Sequence, residues 1–183
     1  ALTDEERDLL KPYPFLTAKP IIYVANVSED DLPSMENAYV QRVRDYAAKE
    51  GAQCLSICAK LEDEIAQLPK EERTEFLQSL GLEESGLQRL TKAVFSMLGL
   101  ITFLTTGEIE TRAWTVRKGA KAPEAAGKIH TDIQKGFIRA EVVSYDDMVK
   151  YNGRVGAREA GRARAEGKEY IVHDGDVILF MHN

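Results

Sequence analysis

The sequence predicts an α/β segment followed by a separate α+β module, and three observations carry that reading. Residues 20–58 run strand, helix, strand, which is a βαβ unit and the building block of a parallel sheet. The hydrophobic period changes from helical to strand-like at Gly99. Charge divides at the same point: residues 1–99 carry 11 basic and 18 acidic side chains, net −7, whereas residues 100–183 carry 13 and 12, net +1. Two domains are therefore expected, 1–99 and 100–183.

The first segment opens on Thr3 and Glu6, a T-x-x-E capping box that predicts a short helix ending near Lys11, ahead of Pro12 and Pro14. Ile21, Ile22, Tyr23, Val24 and Ala25 run without alternation, as in a strand covered on both faces. Residues 36–50 repeat apolar groups at Tyr39, Val43, Tyr46 and Ala47, a helix stopped by Gly51. Residues 53–58 form a second buried strand. Cys54 and Cys58 on such a strand share a face but sit about 13 Å apart, too far for a disulfide, and read as buried free thiols. From Leu61 to Leu98 the pattern is helical, with Pro69 near a start and Gly81 at a stop. Leu87, Leu90, Val94, Met97 and Leu98 fall on one core-facing stripe of the last helix.

In the second segment, strands are expected at 100–105 and 109–116, joined at Gly107–Glu108, then a short helix in KAPEAAGKIH and a strand at 137–143. Residues 145–167 are polar and partly helical. The end reads as a hairpin of 169–173 and 176–182 around Asp174–Gly175, a type I′ turn signal. These elements make a small mixed sheet with one helix across a face.

Composition bounds the function. A chain of 183 residues with 44% hydrophobic content and net charge −6 buries a real core. No apolar run approaches the roughly 20 residues of a membrane span, and ALTDEERDLL lacks the basic start and apolar middle of a signal peptide. A cytoplasmic location without a membrane partner is expected. His130, His173 and His182 are scattered without metal-ligand spacing. The chain has no G-x-x-x-x-G-K-[ST]. Gly156 to Gly161 matches the glycine spacing but lacks the phosphate lysine and the Mg2+ hydroxyl, so no machinery for phosphoryl transfer is visible.

Two constellations remain. Asn26-Val27-Ser28-Glu29 follows the first strand at the carboxyl end, where α/β sheets bind ligands, and Cys58-Ala59-Lys60 follows the second. An Asn amide there offers a donor and an acceptor to a purine edge, such as N6 and N7 of adenine; the other reading is an Asx-type turn into an acidic loop. In residues 150–168, Arg154, Arg158 and Arg162 recur every four residues on one predicted helix face, with Lys150, Arg164 and Lys168 nearby and Phe137, Tyr145, Tyr151 and Tyr170 as possible stacking planes. That stripe is either a phosphate-neutralising surface or a solvated face balanced by Glu159, Glu166 and Glu169.

KPIIYVANVSEDDL with LSICAKLEDEIAQL resembles the base-recognition end of the YchF/Obg-like ATPase family of translation-factor-related P-loop NTPases. MLGLITFLTTGEIETRAWTVRKGAKAPEAAGKIHTDIQKGFIRAEVVSYDDM, through to EYIVHDGDVILFMHN, is similar to that family's C-terminal TGS domain, a β-grasp module. The resemblance covers essentially the whole chain but only about the C-terminal half of a family member. It implies that residues 1–99 are part of a P-loop NTPase sheet, and that the P-loop, the Mg2+-binding switches and the catalytic His lie upstream, so that no catalytic residue is in this chain and the chain alone is inactive. It implies ATP as ligand, GTP as a weaker one, Mg2+ as cofactor, and the ribosome or ribosomal RNA as partner. GTPases of the wider family carry N-K-x-D, whose Asp takes guanine N1 and N2. Here Asn26 would read the adenine edge, the Val27 backbone would lie along the base, and Glu29 would replace that Asp. Cys58, Ala59 and Lys60 would correspond to a second base-contacting loop that is usually Ser-Ala, with Cys58 a departure. The other function consistent with the resemblance is a non-catalytic ribosome- or RNA-binding module whose first half is vestigial.

Overall fold

The computed structural model describes residues 3–10, 12–107 and 110–183. They form two compact units, one extending to Val94 and the other spanning Phe95–Asn183. No helix among the described residues is long and apolar enough to cross a membrane.

The first unit begins with α1 (Asp4–Leu10), where the backbone N–H of Thr3 donates to Glu6 Oε2 at 2.8 Å and Glu6 N–H returns to Thr3 Oγ1, the expected capping box. Strand β1 (Ile22–Asn26) and strand β2 (Gln53–Ile57) pair in parallel, Ile22 opposite Gln53 and Asn26 opposite Ile57. Helix α2 (Ala38–Lys49) is the crossover between them. Its start is fixed by Asn37, whose side chain accepts from Tyr39 N and Val40 N and so satisfies two of the free N–H groups of the first turn. Helices α3 (Ala59–Gln67), α4 (Lys70–Ser79) and α5 (Gly86–Met97) follow, with Pro69 capping α4 and Gly81 in the left-handed region behind it. Val27, Met35, Val40, Cys58, Leu61, Ile65 and Leu77 make one core.

Four expectations are corrected here. The first strand is not covered on both faces: Val24 is 48% exposed, because a two-stranded ladder with its core on one side leaves the other open. On α2 the buried positions are Val40 and Ala47, while Tyr39 (75% exposed) and Tyr46 stand in solvent, since the apolar stripe runs one position later than the aromatic residues suggest. Leu87 and Leu98 are also exposed. Of the two cysteines, both free, only Cys58 is fully buried; it caps α3 instead of ending the strand.

The second unit is a five-stranded mixed sheet. Strand β3 (Leu100–Thr106) and strand β4 (Thr111–Arg117) form the first hairpin, in which Gly107 N–H donates to Glu110 O at 2.9 Å; Glu108 of the expected turn lies outside the described residues. Helices α6 (Ala122–Ile129) and α7 (Thr131–Lys135) lead to strand β5 (Phe137–Ser144). Short helices α8 (Tyr145–Lys150) and α9 (Arg154–Glu159) precede strand β6 (Arg164–Glu166) and strand β7 (Asp176–His182). The order is β4-β3-β7-β5-β6, with β7 parallel to β3 and antiparallel to β5. Ala122, Ala125 and Ala126 let α6 lie close on Phe103, Val116, Ala140, Val142 and Ile178, all buried. Truncating a fully buried ring such as Phe103 to Ala costs about 3–5 kcal/mol in comparable cores.

The closing hairpin does not form. Residues 169–173 are not a strand beside β7, because both edges of β7 are already taken by β3 and β5. Instead Ala122 N–H donates to Tyr170 O, and Val172 N–H to Ala120 O, both at 2.9 Å. Asp174–Gly175 is nevertheless a turn, with Gly175 at φ 79°. It fastens β3: Gly175 N–H donates to Thr102 O at 2.8 Å and Thr102 N–H to Asp174 Oδ1 at 2.7 Å.

Candidate functional site

Parallel pairing of β1 and β2 brings their carboxyl ends side by side and thereby joins the two sequence segments singled out above. Past the last ladder pair, Val27 N–H donates to Ile57 O at 3.0 Å, which extends the register by one residue. Asn26 Oδ1 accepts the Ala59 backbone N–H at 3.0 Å, one of the orphan donors at the start of α3. Lys60 Nζ meets Glu29 Oε2 at 2.5 Å, and this contact, with further help from Glu64, raises the Lys60 pKa above its ordinary value. Asn26, Val27, Glu29, Ala59 and Lys60 are thus brought together, and Cys58 lies buried behind them as the α3 cap.

Ser28 plays a different part. Its N–H and Oγ both donate to Asp31 Oδ2, at 3.3 and 3.2 Å, opening a single helical turn over Glu29–Asp31. Asp31 also accepts from Asn37 Nδ2 at 3.0 Å, which ties the loop after β1 to the cap of α2. Behind β2, Arg89 of α5 donates to Ser56 O at 2.8 Å. Asp31, Asn37 and Arg89 are supports that sequence reading missed. The S-x-x-D pattern of Ser28 and Asp31, and the N-cap preference of Asn37, were the available signals.

The arginines of the second unit do not share one helix face. Helix α9 ends at Glu159, Gly161 turns the chain at φ 69°, and Arg164 already belongs to β6. Arg154 and Arg158 both turn onto Glu141 of β5, at 3.5 and 2.9 Å, and Arg154 also reaches Thr106 Oγ1 at 3.3 Å. Arg162 and Arg164 instead line a cavity of about 210 Å3 with Ser144, Asp147 and Gly161. Arg162 is exposed there, while Arg164 Nη2 donates to Tyr170 Oη at 3.2 Å. Lys150 Nζ lies 5.4 Å from the centre of the Tyr151 ring. Of the possible stacking planes, Phe137 is buried in the core, and Tyr170 Oη donates to the buried carboxylate of Asp176 at 2.7 Å; burial, with Asp176 beside it, pushes the Tyr170 pKa up. Tyr145 remains exposed.

Comparison with known proteins follows the same division. The family model YchF-GTPase_C, described as a protein of unknown function (DUF933), matches residues 100–183. The chain is 54% identical over 182 residues to the ribosome-binding ATPase YchF of Bacillus subtilis, covering 99% of this chain and 50% of that protein. It is 41% identical to human Obg-like ATPase 1, covering 98% of this chain and 46% of that protein. The solved structure of the Schizosaccharomyces pombe YchF GTPase matches with a TM-score of 0.85 at 33% identity, over 99% of this chain and 48% of that one. A GTP-binding protein from Pyrococcus horikoshii, at 19% identity and a TM-score of 0.62 over 90% of this chain and 46% of that one, shares the fold. The chain spans about half the length of the curated relatives it matches. With both units matched by YchF and Obg-like proteins at this identity, the chain is strongly homologous to the YchF/Obg-like proteins and corresponds to their C-terminal part.

Proposed function

We propose that this sequence supplies the base-recognising part of a P-loop-type nucleotide-binding domain, residues 1–99, and a β-grasp TGS domain, residues 100–183, of a longer ATPase that associates with the ribosome in the cytoplasm. The observation that carries the reading is the Asn26–Ala59 hydrogen bond, which links the two loops at the open end of a parallel strand pair. With Oδ1 engaged by Ala59, Asn26 retains the two N–H groups of Nδ2, and one of them suits N7 of a purine. Adenine and guanine share N7, so Asn26 anchors a purine without choosing between them. This modifies the two-point adenine contact expected from sequence, and it makes ATP the ligand with GTP weaker only through the other side chains of the site.

The phosphate groups, Mg2+ and the hydrolytic step belong, on this reading, to residues outside this sequence. Among the described residues no three His, Cys, Asp or Glu side chains gather as a metal site. The ribosome-facing candidates narrow to Lys150 and Arg162, because Arg154 and Arg158 are spent on Glu141 and Arg164 is held by Tyr170, Glu166 and Asp176. The test is equilibrium titration of the longer protein with ATP: Asn26→Ala should weaken binding about tenfold, the worth of one good hydrogen bond. Unchanged affinity overturns the assignment. The 183-residue chain by itself should show no ATP hydrolysis above blank.

A further inference from the structure

Guanine presents two adjacent donors, N1–H and N2–H2, and a free carboxylate with both oxygens available is the side chain that accepts them together. Adenine carries no such pair of donors. In the site described above the only side-chain carboxylate in the loop between Asn26 and Asp31 that touches the Cys58-Ala59-Lys60 segment is Glu29, and it is held by Lys60 among the described residues. We propose that Lys60 is a specificity-determining residue of the base site: by pairing with Glu29 at 2.5 Å it withdraws the acceptor that guanine needs and tilts the site toward adenine.

The inference rests on the base-site reading above. Three features support it. Asp31, two residues on, cannot stand in for Glu29, since its Oδ2 already accepts from Ser28 N, Ser28 Oγ and Asn37 Nδ2. Lys60 is drawn by acids from two elements, Glu29 beyond β1 and Glu64 one turn along α3, and its raised pKa keeps it cationic through the neutral range. The pair is exposed in the absence of a base, where such contacts contribute little to stability, but a bound purine would exclude water from one side and strengthen it. The contact therefore acts on selectivity more than on folding, and its removal leaves α3 intact because Lys60 is exposed.

The experiment titrates the longer protein with non-hydrolysable analogues of ATP and GTP, using Lys60→Met, Lys60→Met with Glu29→Gln, and Asn26→Ala. Lys60→Met should raise GTP affinity relative to ATP by about tenfold, the value of one hydrogen bond to a charged acceptor. Adding Glu29→Gln should reverse that gain, because the freed acceptor is then lost. If Asn26→Ala weakens both analogues while Lys60→Met leaves their ratio at the wild-type value, the inference about Lys60 is overturned and the base site stands. If Asn26→Ala changes neither affinity, the base-site reading fails and this inference falls with it.

Discussion

Arg158 grips Glu141 at both carboxylate oxygens, Nη2 donating to Oε1 and Oε2 at 2.9 Å and Nε to Oε2 at 3.2 Å. Arg154 approaches the same group at 3.5 Å, so two residues of α9 close on one residue of β5. The side chains of Glu141 and Arg154 are only 14% and 15% exposed, which separates this cluster from an ordinary screened surface pair.

The Arg158 guanidinium, with Arg154 behind it, holds the Glu141 carboxyl below the usual carboxylate range. The unfolded chain therefore takes up the proton first as pH falls. The stabilisation is complete above about pH 4.5 and is lost as pH drops through the lower folded value. Glu141→Gln should lower the unfolding free energy by about 2 kcal/mol at pH 7, and the gap to wild type should narrow in acid. Urea unfolding at pH 7 and pH 3.5 reads both numbers; an equal gap at the two pH values would contradict the assignment.

Gly156, the third residue of α9, lies against the chain that precedes the helix. A Cβ there would lie 2.0 Å from the Tyr151 carbonyl oxygen, a backbone atom that cannot rotate away. Gly156→Ala should cost about 3 kcal/mol and lower Tm by more than about 5 °C. A thermal melt at the wild-type Tm would show that the loop carries no such contact.

Asn37 serves α2 and the base loop together. Asn37→Ala removes the cap on Tyr39 N and Val40 N and should cost about 1 kcal/mol. Asn37→Asp keeps the cap but sets a second carboxylate against Asp31, so it too should destabilise the protein. Full stability of the Asp variant in denaturant unfolding would remove Asp31 from the account.

Lys150→Glu with Arg162→Glu should weaken salt-sensitive co-sedimentation of the longer protein with ribosomes, because cations that neutralise phosphates give binding its salt dependence. Arg158→Gln should instead lower stability with little change in co-sedimentation at permissive temperature, because that guanidinium already has a partner. The reverse ranking would return the interaction to α9.

Much of this architecture was legible because strong local signals agreed. Uninterrupted apolar residues at Ile21–Ala25, the Gly51 stop and the second apolar run specified a parallel pair, and that pairing alone brings Asn26 to Ala59. What sequence misplaced depended on long-range neighbours. The Asp174–Gly175 signal was read as a hairpin turn, but β7 had found partners elsewhere and the turn binds Thr102 instead. The four-residue recurrence of Arg154, Arg158 and Arg162 implied one helix face, yet Gly161 ends the helix before Arg162. Tyr39 and Tyr46 follow a helical period, but each sits one position before the buried stripe of Val40 and Ala47. The Glu29–Lys60 contact joins residues 31 apart in sequence, and no local pattern announces it.

The placement of β7 between β3 and β5 governs the order in which the second unit can be made. Leu104 and Val177, opposite one another at the seam, are separated by most of that unit's length. During synthesis the β3–β4 hairpin, the helices and β5 emerge before the strand that joins them, so the half-built sheet waits with Phe103 and Val142 uncovered by their shared neighbour. Completion is then a single late event, in which one insertion closes two ladders at once. A nascent chain halted before Asp176 should have its second unit cleaved readily by protease, whereas that unit should resist cleavage in the released 183-residue chain.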